Sequence, residues 1–197
     1  MKQLEGKRIG IGLTGSHHTY SKVFEQIKRL VEKNAEVIPI VSNTVQHTDT
    51  KFGNATDHVK RLESLTGKKV IKSMQDAEPL GPKNPLDCMV IAPLTGNSMA
   101  KFANGMTDNP VLMAAKSTIR NQNPVVLSVT TNDALGMNGV NLMRLINSKH
   151  IYFVPFGQDN PMKKPNSLVA NLDLLEESIV SALNREQLQP IIIPHNQ

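Results

Sequence analysis

The sequence has no tryptophan, one cysteine and only 4% aromatic residues, and each shortage excludes something. With so few large rings, a buried core must be assembled from Val, Ile, Leu and Met, and the nine methionines read as its filler. The single cysteine, Cys88, excludes an intramolecular disulfide and fits a reducing, cytoplasmic setting. Because Cys88 sits inside an apolar run, it reads as a small hydrophobe rather than a nucleophile. No run of about twenty apolar residues is present, so no membrane span is expected. The N-terminal stretch MKQLEGKRIGIGLTG has no apolar signal segment and leads straight into a strand pattern. Charge is +5, from 22 basic and 17 acidic residues, scattered in pairs such as Lys7-Arg8, Lys28-Arg29 and Lys60-Arg61. Without a dense basic face or interleaved aromatics, nucleic-acid binding is not expected, and the excess supports only attraction for small anions.

Several motifs are missing as well. There is no Walker lysine pattern. Gly10, Gly12 and Gly15 lack the spaced dinucleotide fingerprint, and no acidic residue closes the second strand. The six histidines show no ligand spacing, so no metal site is expected. No nucleophile elbow accompanies a Ser-His-Asp set.

What is present is an alternation of strand and helix patterns. Strands are expected at residues 8–13, 36–41, 69–72, 88–92, 124–129 and 151–154. Pro39 marks the second as an edge or bulge. Helical spacing covers residues 20–33, 56–65, 99–103, 110–119, 138–148 and 167–183, with Gly67 a C-cap. This order predicts an α/β fold. It is a three-layer sandwich around a mostly parallel six-stranded Rossmann or flavodoxin-like sheet, with right-handed crossovers. One domain is expected over 1–197, with 184–197 a C-terminal tail whose apolar triplet, Ile191 to Ile193, docks on a neighbour.

The chain is organised around DCMVIAPLTGNSMAKFANGMTDN, residues 87–109. An unalternating apolar strand stops at Pro93 and breaks into Thr95, Gly96, Asn97 and Ser98 before a helix start. A strand end of hydroxyls and amides beside a helix N-terminus suits an anion, although Asn97 or Ser98 could equally be plain caps. Three other strand ends repeat the pattern: Thr14/Ser16, Ser42/Asn43 and Thr131/Asn132. In a parallel sheet all four project from one edge, which predicts a polar crevice for a phosphorylated ligand. His17 and His18 lie in the first of these turns, and one of them is a candidate for substrate contact. Asp108 could orient a ligand or cap a helix.

These residues resemble the FMN-binding flavoproteins that include the homo-oligomeric cysteine decarboxylases. The resemblance rests on Thr14-Gly15-Ser16 and on Pro93 to Ser98, where that family carries Pro-Ala-Ser-Ala-Asn-Thr. It extends to Thr107-Asp108-Asn109, where the family carries Ala-Asp-Asn. It implies an FMN cofactor held by Thr14, Gly15, Ser16, Ser42, Pro93, Thr95, Asn97, Ser98, Asp108 and Asn109, and a homo-oligomer built as a trimer or a multiple of it. The family's decarboxylases place a catalytic His ahead of the central strand, where this chain reads GPKNPLD. Of their Pro-x-Met-Asn-x-x-Met-Trp segment only Asn132 remains, so Asn132 and His17 are the catalytic candidates that survive. The runs TTNDALGMNGVNL, IYFVPFGQDNP and KPNSLVA instead resemble one component of a two-protein dehydrogenase within the family. That likeness implies a nicotinamide-binding partner protein and a dicarboxylate substrate oxidised to an aromatic pyridine during spore formation. It also makes Lys101, Lys163 and Lys164 candidate carboxylate contacts. A non-catalytic partner with a vestigial crevice and a decarboxylase remain the alternatives.

Overall fold

In the structure, a computed structural model, residues 3–194 are described. Five parallel strands form the body of the sheet: β1 (Arg8–Leu13), β2 (Glu36–Val41), β3 (Cys88–Leu94), β4 (Val125–Thr131) and β5 (Ile151–Phe153). They lie in the order β2-β1-β3-β4-β5, the flavodoxin-like arrangement. β3, at the centre, is buried along its whole length, which is why it shows no polar alternation.

Helices cover both faces. On one, α1 (Tyr20–Glu32) packs against α3 (Ala55–Thr66) and α8 (Leu175–Leu183). Its buried Val23, Phe24, Ile27 and Leu30 recur at helical spacing. On the other, α6 (Pro110–Arg120) lies across β1 to β4 with α4 (Met74–Ala77) beside it. Glycine permits this contact. A Cβ on Gly12 would sit 2.6 Å from Val111 Cγ1 of α6. α5 (Gly96–Ala103) and α7 (Gly139–Ile146) pack on each other beside β4 and β5.

The sheet differs from expectation in three places and the helices in one. Residues 69–72 supply only Ile71, which bridges Ile40 beyond β2. That outer bridge uses the Pro39 carbonyl and the Val41 amide, so the N–H that proline lacks falls on the edge side and costs β1 no bond. The strand at 88–92 continues to Leu94, and its register with β4 shifts between Ile91 and Leu94, around the non-donating Pro93. The helix expected from residue 167 begins instead as a strand. β6 (Phe156–Gly157) and β7 (Leu168–Ala170) pair antiparallel, and β7 joins β4 at Thr130 and Thr131. The sheet therefore has seven strands rather than six. A short helix, α2 (Asn43–His47), also follows β2, where only a hydroxyl cluster was expected.

The C-terminal triplet docks within the chain itself. Phe156 donates its amide to Ile191 O and accepts from the Ile193 amide, each at 3.0 Å, while Ile192 remains 58% exposed. Gly157 allows the approach, since a Cβ there would lie 2.5 Å from Ile193 O. Residues 195–197 of the expected tail lie outside the described residues. Among the described residues no helix is long and apolar enough to cross a membrane.

Candidate functional site

Because β1, β3 and β4 run parallel, their C-terminal loops emerge on one edge, and β7 brings a fourth segment beside them. Between these loops is a cavity of about 610 Å³, within the size range of small-molecule sites. Ser16 lines it from the β1 loop, Thr95, Gly96 and Asn97 from the start of α5, and Asn132 from the β4 loop.

The first turn of α5 forms one wall of the cavity. Thr95 is its N-cap, and its Oγ1 accepts the Ser98 amide at 3.3 Å and donates to Ser98 Oγ at 3.1 Å. A helix cannot satisfy its first amides internally. With the Ser98 amide capped, those of Gly96 and Asn97 remain at the cavity wall, at the positive end of the helix dipole. Behind this turn the loops are braced. The Thr14 hydroxyl donates to Pro93 O at 2.7 Å and accepts the Thr95 amide at 3.1 Å, tying β1 to the end of β3. Tyr20 donates its phenol to Thr14 O at 2.7 Å, and burial pushes that phenol's pKa above its ordinary value. Ser16 reaches across to Thr130 O at 3.3 Å.

Of the expected cofactor residues, Ser16, Thr95 and Asn97 therefore meet at the cavity, while Thr14, Gly15, Pro93 and Ser98 form the braced layer behind it. Ser42 is buried beside the end of β1, where its amide donates to Leu13 O at 3.1 Å. Its Oγ has no hydrogen-bond partner among the described residues. Asp108 and Asn109 belong to the α6 cap instead. Asn109 Oδ1 accepts the Val111 and Leu112 amides at 3.1 and 3.2 Å. Asp108 pairs with Lys101, whose hydrogen bond holds its carboxyl below the usual range. Neither Lys101 nor Lys163 lines the cavity; Lys164 does.

His17 is turned away from the cavity. Its Nδ1 is 2.7 Å from Gly15 O, and its ring stacks with Tyr20 and His58 at centroid distances of 4.9 and 6.0 Å. Burial, with His17 adding to it, pushes the His58 imidazole below its ordinary value. The imidazole on the cavity wall is His18.

Sequence reasoning passed over a second group of lining residues, among them Asp133, Asn138, Asp159 and Ser167. Asp133 accepts from Thr131 Oγ1 at 2.7 Å and from Asn138 Nδ2 at 2.8 Å. Gly96 packs tightly on this trio, since a Cβ there would lie 2.7 Å from Thr131 Oγ1 and 2.9 Å from Asp133 Oδ1. Asp159 pairs with Lys164 at 3.1 Å. Burial opposes its ionisation, but hydrogen bonds from Ser167 and Lys164 outweigh that and hold its pKa low. An acidic residue two positions past a strand end was the available signal for Asp133. Nothing local marks Asp159 or Ser167, which only the β6–β7 hairpin brings to the site. Among the described residues no group of three or more His, Cys, Asp or Glu side chains is arranged for a metal ion.

A flavodoxin-like sheet whose strand ends enclose a hydroxyl- and amide-lined cavity is the architecture of a nucleotide- or flavin-binding protein. The Flavoprotein family model matches residues 1–170, and the chain belongs to that family. Within it, the chain is a homologue of the B subunit of dipicolinate synthase. It is 62% identical to that protein from Bacillus subtilis strain 168 over 197 residues, all of this chain and 98% of the relative. The crystal structure of the Bacillus halodurans counterpart, also the B subunit of dipicolinate synthase, superposes with a TM-score of 0.91 at 57% identity. That match covers 98% of this chain and 99% of the other. Burkholderia xenovorans DmrB in complex with FMN, described as a cubic protein cage for redox transfer, shares the fold. Its TM-score is 0.67 at 18% identity, over 91% of this chain and 96% of that one.

The residues present fit a flavin mononucleotide. The donor set combines neutral hydroxyls, side-chain amides and helix-start amides, which suits a phosphate and a polyol chain. The cavity volume is that of a cofactor site.

Proposed function

We propose that this chain is the FMN-carrying component of a two-protein dehydrogenase that oxidises a cyclic dihydro- or tetrahydrodipicolinate to dipicolinate in sporulating cells. Its partner is the A subunit of the synthase, the nicotinamide-binding chain. The observation that carries the reading is the convergence of Ser16, the α5 first turn and the Thr131–Asp133 loop on one cavity. The relatives' name supplies the reaction and implies a second protein. A flavin, when bound, supplies an acceptor for a hydride. The chain's own residues bind and orient: the Gly96 and Asn97 amides and the Ser16 hydroxyl hold anionic and polar groups. Lys164 is the cation available to a substrate carboxylate, with Asp159 as its counter-ion until substrate arrives.

The reading includes self-association. Leu135, Met137, Val140 and Met143 are exposed along one segment, Met137 at 91%. They adjoin the cavity loop and form an apolar surface of the kind that assemblies cover. Met106, also exposed, follows α5, which Asn104 ties to Asn141 and Arg144 of α7. A trimer or a multiple of it is the assembly expected.

The test is an anaerobic spectrum of the chain co-purified with its nicotinamide-binding partner. The complex is expected to be yellow and to bleach when the dihydropyridine dicarboxylate is added. Full dipicolinate formation by the partner alone would overturn the reading, as would a complex that takes up no FMN.

A further inference from the structure

The cavity holds four titratable side chains, and three are accounted for. Asp159 and Lys164 neutralise each other at 3.1 Å. His18 is exposed, its ring beside Phe52 at 6.2 Å. Asp133 is different. It has no cationic partner among the described ion pairs, yet both its oxygens are held, Oδ1 by the Thr131 hydroxyl and Oδ2 by the Asn138 amide. Each oxygen keeps a further acceptor position. A half-buried carboxylate fixed by two neutral donors is oriented without being neutralised, which is what a proton acceptor requires. Gly96 sharpens the arrangement, because any side chain there would push into Asp133, Thr131 and Asn138 together. The glycine thus keeps the carboxylate against the first turn of α5, where a cofactor's polar groups are expected.

The geometry points to Asp133 as the catalytic base of the oxidation, a role that rests on the function proposed above. Aromatising a dihydropyridine removes a hydride and a proton. One ring C–H bond would break with its electron pair leaving as hydride, for which a flavin, when bound, would supply the acceptor. An adjacent ring C–H or N–H bond breaks the other way: its electron pair closes the new double bond and its proton passes to an Asp133 oxygen. Thr131 and Asn138 are positioning residues that hold the carboxylate in place.

Asp133→Asn, in the complex with the partner protein and FMN, is expected to lower kcat by about 100-fold or more, the usual span of general-base catalysis. FMN affinity, read by quenching of flavin fluorescence, should stay within about threefold, and KM should change little. Asp133→Ala should regain rate when formate is added, because a free carboxylate can enter the space left. Thr131→Val should lower kcat by a smaller factor and respond to no added carboxylate. A kcat within threefold of wild type in Asp133→Asn, or an Asp133→Ala variant with bound flavin that formate leaves unimproved, overturns the assignment. A wild-type complex that binds no flavin overturns the functional reading itself.

Discussion

The two ends of the parallel sheet make opposite use of their polar groups. At the amino ends the chain satisfies itself. The Arg8 amide donates to Asp87 at 2.8 Å, Asn123 caps Leu86 O at 2.8 Å, and the Val125 amide donates to His150 O at 2.8 Å. At the carboxyl ends the same strands finish in hydroxyls, carboxamides and helix-start amides that face a cavity. One end is closed by the protein's own groups, and the other, in the function proposed above, is left to a ligand. A fold can therefore concentrate recognition at one edge without weakening its core, because the two edges do not share the groups that close them.

Substitutions can break or sharpen that contrast. The largest effect is expected between the ends. Gly12→Val would drive a branched side chain into Val111 and Met89, 2.6 and 2.7 Å from the first added carbon. Urea denaturation should show a loss at or above the upper end of the roughly 1–3 kcal/mol typical of overpacking. Gly96→Ala acts on the carboxyl end alone. Helix propensity favours alanine there, yet its methyl would displace Thr131, Asn138 and Asp133. FMN affinity should fall by about tenfold, a cost of about 1.4 kcal/mol, with little change in melting temperature. Asp87→Ala is the counterpart at the amino end. It strands the Arg8 amide and should remove about 1 kcal/mol of stability while leaving FMN affinity unchanged.

The smallest effect concerns pH. Burial lowers the pKa of His58 in the folded chain, so below its ordinary value of 6.5 the unfolded chain binds more protons than the folded one. This contribution is fully present above that pH and is lost as pH falls through the window beneath it. His17, Asp57 and Arg61 are the charged or titratable groups acting on it. The melting temperature is expected to fall between pH 7 and pH 5, less steeply in His58→Phe than in wild type. An equal slope in both would place the dependence elsewhere.

Much of this was legible in the sequence, for identifiable reasons. The four long strands, β1 to β4, announce themselves because strands buried on both faces must be continuously apolar, as Cys88 to Ala92 are. Gly67 ends α3 in the left-handed conformation expected of it, at φ 64°. The hairpin was not legible. Leu168, Leu172, Leu175 and Ile179 stand at helical spacing, and a two-residue strand such as Phe156–Gly157 has no period to detect. What decides in favour of β7 is the open edge of β4 at Thr130 and Thr131, a tertiary fact. The candidate site divides the same way. Ser16, Thr95 and Asn97 could be read from strand-end chemistry. The inward turn of His17 and the placement of Asp159 and Ser167 follow from packing that no local pattern encodes.

Whether the carboxyl edge of this sheet is a flavin cradle is decided by FMN titration of the purified chain, followed by fluorescence quenching. Saturable binding of one FMN per chain is expected, weakened by Gly96→Ala and by Ser16→Ala but not by Asp87→Ala. No saturable binding, or equal weakening by substitutions at both edges, would contradict it.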